Sequence, residues 1–166
     1  MKKIFILLVS LFGFIACEQK KEPDDSKESG NHITTVNDDI KSVKELIKIS
    51  FEDIWSKLDS TKIEKYHTDD FFLLENGIVW NNDSVRSYLS RERKEMEIQK
   101  YQRLNRFEFL KSVHNQNTIW IAYDNYGTWV KGTDTLGTIH WLESVIAIKE
   151  QDEWKLQQLH STTVRN

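Results

Sequence analysis

The stretch from Thr118 to Val164 constrains this chain more than any other. Val, Ile, Leu, Trp, Tyr and Thr dominate it, and Gly132-Thr133-Asp134 interrupts it with turn chemistry. It predicts three consecutive antiparallel strands, Thr118–Val130, Thr135–Lys149 and Trp154–Val164. The first two are long, about 13 to 15 residues against the usual 5 to 6. Strands of that length twist and curl, and a curled sheet has a concave face that must be filled.

The residues upstream are patterned to fill it. Asn37 or Asp38 is a helix cap, and Ile40, Val43, Ile47, Phe51, Ile54 and Leu58 form one helical stripe after it. Thr61-x-x-Glu64 has capping-box form for a short second helix ending near Tyr66. Asp69–Glu75 reads as a strand, Asn76-Gly77 as a turn, and Ile78-Val79-Trp80 as a strand pairing back. Asn82 or Asp83 opens a third helix to about Ile98, and a strand from about Tyr101 to Val113 leads into the C-terminal meander. Helices followed by a meander predict an α+β domain, a curved antiparallel sheet covered by three N-terminal helices.

The N-terminus reads as an address. Met1-Lys2-Lys3 is basic, Ile4–Ile15 is apolar, and the run is too short for a membrane span of roughly 20 residues. It ends at Ala16-Cys17, and Cys17 is the only cysteine in the chain. Phe14-Ile15-Ala16-Cys17 resembles the lipobox of bacterial lipoproteins. That resemblance implies cleavage after residue 16, acylation of Cys17, and a lipid-anchored protein of the bacterial cell envelope. Residues 17–36 then read as the lipidated cysteine with a polar, disordered tether, and residues 37–166 as the folded domain. Loss of residues 1–16 removes two of the 23 basic residues and none of the 26 acidic ones, shifting the formal charge from −3 to −5. Such a balance, without a basic run, does not suit nucleic acid.

The order of elements resembles the nuclear transport factor 2-like superfamily, also called SnoaL-like or cystatin-like cones. Tyr66-His67-Thr68-Asp69-Asp70 and Trp154-Lys155-Leu156-Gln157-Gln158-Leu159-His160-Ser161 carry the resemblance. It covers about residues 38–164. It implies a cone with an internal pocket, on a fold that serves both enzymes and binding domains.

Register decides what lines such a cone. A two- or four-residue turn at Gln151-Asp152 pairs Glu143 with His160; a three-residue turn with a bulge pairs it with Ser161. Similarity to the oligomerisation domain of calcium/calmodulin-dependent kinase favours the second. Its three pocket arginines match Asn125, Val145 and Ser161, so the resemblance implies a pocket of Tyr123, Asn125, Glu143 and Ser161 without that cationic set. Trp141, Trp154 and His160 then face outward, and Trp129 with an outward Trp141 suggests a homodimer through the sheet.

Glu143 is a charge inside an apolar strand, where it needs a partner such as Arg106 or a ligand. Glu75 occupies, by resemblance, the offset of the general base of ketosteroid isomerases, while the tyrosine donor's place falls near Ser50. Glu75 and Glu143 are therefore the catalytic candidates in a chain that otherwise reads as a binder of a small apolar ligand. His67, at a helix end, suits the helix dipole as a cation. The five histidines lack metal-binding spacing, and no phosphate loop or nucleophile elbow is present, so neither metal nor cofactor is expected.

Overall fold

The computed structural model describes residues 26–165, with side chains described from residue 36. Residues 1–16, expected to be a signal peptide, and Cys17 lie outside the described residues. Helix α1 spans Ser26–Ser50, beginning well before the expected cap at Asn37–Asp38 and inside the segment read as tether. Once the packed turns exist, extending a helix backwards through Lys, Glu and His needs no new nucleus, and Gly30 costs only about 1 kcal/mol.

The apolar stripe of α1 packs as expected: Val43, Ile47, Phe51, Ile54 and Leu58 are all buried. Its final turns, Phe51–Ser56, wind wide as a π-helix, with Lys57 N–H donating to the Glu52 carbonyl at 2.9 Å. Leu58, at φ 55, stops the helix. Asp59, not Thr61, caps the next turn by accepting from Thr61 N at 3.0 Å. A short α2 (Ile63–Tyr66) leads into β1 (His67–Glu75), β2 (Ile78–Asn81) and α3 (Asn82–Gln99). Asn81 caps α3, its side chain accepting from Ser84 N at 2.9 Å.

Four long strands follow: β3 (Gln102–Asn115), β4 (Thr118–Lys131), β5 (Asp134–Glu150) and β6 (Glu153–Thr163). The sheet order is β2-β1-β6-β5-β4-β3. All neighbours are antiparallel except β1 and β6, which run parallel, so the sheet is mixed where a fully antiparallel one was expected. The parallel pair matters because it sets Glu75 beside Ser161.

Glu143 pairs with Ser161, the shifted register of the two considered. The device differs from the one expected. The turn has two residues, Gln151 and Asp152, both at positive φ (49 and 67), as a tight hairpin matched to strand twist requires. The shift comes from a bulge in β6 between the pairs Ala147–Leu156 and Ile146–Gln158, which leaves Gln157 unpaired. Beyond that bulge one row crosses the sheet: Glu75, Ser161, Glu143, Tyr123 and Phe109 are successive cross-strand partners. The helices bury the concave side of this row.

Three tryptophans turn the other way from expectation. Trp154, ahead of the β6 bulge, packs toward α1 and donates through Nε1 to Asp39 Oδ1 at 3.1 Å. Trp129 and Trp141 also turn inward. Trp141 shares the parity of Glu143 and Trp129 that of Tyr123 and Asn125, so both lie on the concave face, their rings 6.0 Å apart. The alternation of a strand allows nothing else once Glu143 points in.

Candidate functional site

The wide π turn, β1, the end of β2, α3, β3, β5 and β6 line a cavity of about 220 Å³ that opens to solvent on one side. Phe51, Trp55, Trp80, Tyr88 and Trp141 supply aromatic walls, and Leu73 and Leu159 add aliphatic surface. Phe51 and Trp55, four residues apart on the widened turn, lie with ring centroids 6.2 Å apart and both reach the cavity. Trp80 and Tyr88 meet edge-on, ring centroids 5.4 Å apart, and join the end of β2 to α3.

The polar groups are gathered on one side. Glu143 is 5% exposed. Ser161 Oγ donates to its Oε1 at 3.0 Å and Asn125 Nδ2 to its Oε2 at 3.2 Å. Burial pushes its carboxyl up to about 7, against the opposing pull of the Ser161 hydroxyl, the Arg103 charge and the Asn125 amide. Glu75, half-buried, accepts from Asn76 Nδ2 at 2.8 Å. Burial raises its pKa too, while Ser161, Arg103 and His160 oppose the rise. The Tyr123 hydroxyl, fully buried beside Glu143, and Asn125 Oδ1 have no hydrogen-bond partner.

Arg103 completes the site, and the sequence reading missed it. Its guanidinium lies over Trp141 at 4.9 Å and Trp129 at 5.3 Å from the ring centroids. Its Nε donates to Asn105 Oδ1 at 3.1 Å, and Asn105 Nδ2 donates to Ser56 Oγ at 2.8 Å, tying β3 to the π turn. Burial lowers its pKa, offset by the charges of Glu143, Tyr88 and Glu75. The expected partner of Glu143, Arg106, is on the opposite face, paired with Glu108 and stacked on Tyr126. Positions 103 and 106 differ by three, an odd number, so a strand sends them to opposite sides. The signal was present as Arg103, Asn105, Phe107 and Phe109, an alternation with its polar end at the cavity.

Of the expected pocket set, Glu143 and Ser161 line the cavity, while Tyr123 and Asn125 are packed behind Glu143. Glu75 and Glu143 are brought together across Ser161. The cavity does carry a cation, from β3 instead of the three matched positions. Ser50 is buried, its hydroxyl donating to the Ile47 carbonyl at 2.9 Å. His67 is no helix-end cation. It is buried, stacked on Phe71 at 3.7 Å and bonded through Nδ1 to Asn82 Oδ1 at 2.9 Å, and burial lowers its pKa to about 4. Among the described residues no group of His, Cys, Asp or Glu could hold a metal ion, and no helix is long and apolar enough to cross a membrane.

No family model matches the chain, and no curated protein sequence matches it. Solved structures do. An NTF2-like protein with a cystatin-like fold from Novosphingobium aromaticivorans superposes with a TM-score of 0.67 at 8% identity, over 87% of this chain and 94% of its own. ActVI-ORFA from Streptomyces coelicolor superposes with a TM-score of 0.63 at 14% identity, over 80% and 98%. A hexachlorocyclohexane dehydrochlorinase, LinA type 2, gives 0.61 at 10% identity, over 76% and 86%. The chain has the NTF2-like, cystatin-like α+β fold.

Proposed function

We propose that this NTF2-like cone is a small-molecule-binding domain, its ligand held among the aromatic walls of the cavity. The cavity itself carries the reading: about 220 Å³, aromatic on most sides, with its polar side chains gathered on one wall. The lipobox-like Phe14-Ile15-Ala16-Cys17 supports placing the domain at a bacterial cell envelope, anchored by acyl chains on Cys17. The convex face supports a homodimer through the sheet, on different residues from those first considered: Leu104, Leu110 and Leu142 are each more than half exposed there.

Native mass spectrometry of protein purified from its own membranes tests the binding reading. A retained small molecule, displaced when Trp55 or Trp80 is changed to Ala, supports it. Protein without retained mass, turning over candidate ketones or lipids, overturns it.

One observation favours a second reading. A carboxyl poised near 7, with a guanidinium on the same cavity wall, suits proton abstraction next to a carbonyl whose oxygen the cation receives. In that reading the chain is an isomerase- or dehydratase-like enzyme with Glu143 or Glu75 as base. Glu143→Gln and Glu75→Gln, assayed against the same ketones, separate the two: activity that survives both changes rejects the enzyme.

A further inference from the structure

The hydrogen-bonding capacity left in the cavity is unevenly shared. Glu143 already accepts from Ser161 and Asn125, and Glu75 from Asn76. Arg103 uses one N–H of its five, the Nε bond to Asn105. Among the described residues no carboxylate stands at ion-pair distance from it. The Trp129 and Trp141 rings, 6.0 Å apart, both lie to one side of it, and its terminal edge keeps four N–H groups for a partner. A planar pair of oxygens matches that edge; an ammonium does not.

We propose that the cavity takes a small single-ring carboxylate, its two oxygens on the Arg103 guanidinium and its ring among Trp55, Trp80, Tyr88 and Trp141. The proposal rests on the small-molecule reading above and names its ligand class. The volume sets the size. An apolar cavity of about 150 Å³ accommodates benzene, so 220 Å³ leaves room for one ring and a short polar substituent.

Charge sets the pH dependence. With both carboxylates ionised, the wall of Glu75, Glu143 and Arg103 carries one net negative charge and repels an anion. A proton on Glu143 cancels it. The groups facing Glu143 are Arg103 from β3, Tyr123 and Asn125 from β4, and Ser161 from β6, with Glu75 of β1 across that serine. Tyr88 of α3 lies in the field of Arg103, and the π turn presents only Phe51 and Trp55. Burial makes that proton available near neutrality. Carboxylate affinity is therefore highest below about pH 7 and falls above it, by at most about tenfold per pH unit because one proton is coupled.

Calorimetric titration of the full-length protein with benzoate, benzamide and benzylamine between pH 6 and 8.5 tests this. Benzoate should bind at least tenfold more tightly than benzamide at pH 6. Arg103→Gln and Arg103→Lys should both lose that preference, with circular dichroism confirming that each variant is folded. Glu143→Gln should flatten the pH profile. Equal or tighter binding of benzamide or benzylamine, no benzoate binding, or an unaffected Arg103→Gln overturns the proposal. Toluene, followed by quenching of the cavity tryptophans, separates the two levels. Toluene binding without benzoate binding removes the carboxylate class and leaves the small-molecule reading; binding of neither removes both.

Discussion

Gly127 and Trp141 approach so closely that a Cβ on the glycine would lie 2.7 Å from Trp141 Cζ3 and 3.3 Å from Arg103 Nε. The bare backbone of β4 at this point is what lets the indole lie flat with the guanidinium over it. A glycine in a strand otherwise weakens it, so its place here follows from that contact.

Gly127→Ala should push Trp141 and Arg103 off their stacked positions. Overpacking of this kind costs about 1–3 kcal/mol. Urea unfolding and near-ultraviolet circular dichroism measure both effects. An unchanged tryptophan spectrum together with unchanged stability would show that the contact is slack.

Glu143 gives stability an alkaline loss. Its folded pKa of about 7 lies above the ordinary 4.5, so the folded state holds a proton that the unfolded chain has released. Stability from this group is greatest below about 4.5, falls as pH rises, and reaches its full penalty above about 7, on the order of 3 kcal/mol. Glu143→Gln should gain stability relative to wild type as pH rises from 5 to 8. A constant difference between the two proteins across that range would refute the shift.

His67 acts in the opposite direction. Its folded pKa of about 4 lies below the ordinary 6.5, so the unfolded chain takes up a proton first as pH falls. Stability is lost from about 6.5 downward until the folded pKa is reached, again on the order of 3 kcal/mol. His67→Gln, which keeps a polar partner for Asn82, should weaken that acid dependence between pH 6.5 and 4.5. Nuclear magnetic resonance titration of His67 showing a pKa near 6.5 in the folded protein would contradict this account.

Cys17→Ser should move the protein from the membrane fraction to the soluble or uncleaved precursor pool. The packed stripe from Ile40 to Leu58 and the sheet lie wholly within residues 37–166, so a chain starting near Asn37 should melt within a few degrees of the full-length protein. Wild-type protein without acyl mass on Cys17, or fractionating with soluble proteins, would mean that the chain is not anchored there.

Which parts of this fold were legible follows from how each residue's environment is specified. The stripe Val43, Ile47, Phe51, Ile54 and Leu58 was readable because helical period and burial are the same local fact. The strands were readable by length and β-branched content, and their alternation put Ile121, Tyr123 and Asn125 on one face. A buried carboxylate in β5 was visible as a charge among apolar neighbours.

What the sequence by itself determined is this set of elements and the parity of residues within each strand. Parity between strands was decided by the tertiary structure. The bulge at Gln157 set Glu143 beside Ser161 through a two-residue turn that alone would have given His160. The parallel docking of β1 on β6, a pairing of segments far apart in the chain, brought Glu75 to the same serine. Pairing across β3, β4 and β5 turned Arg103, Trp129 and Trp141 inward together. Alternation within one strand repeats every two residues and is blind to its partner. Which face becomes the inside is fixed only when bulges, turns and neighbouring strands are assembled, and the cavity is made of that assembly.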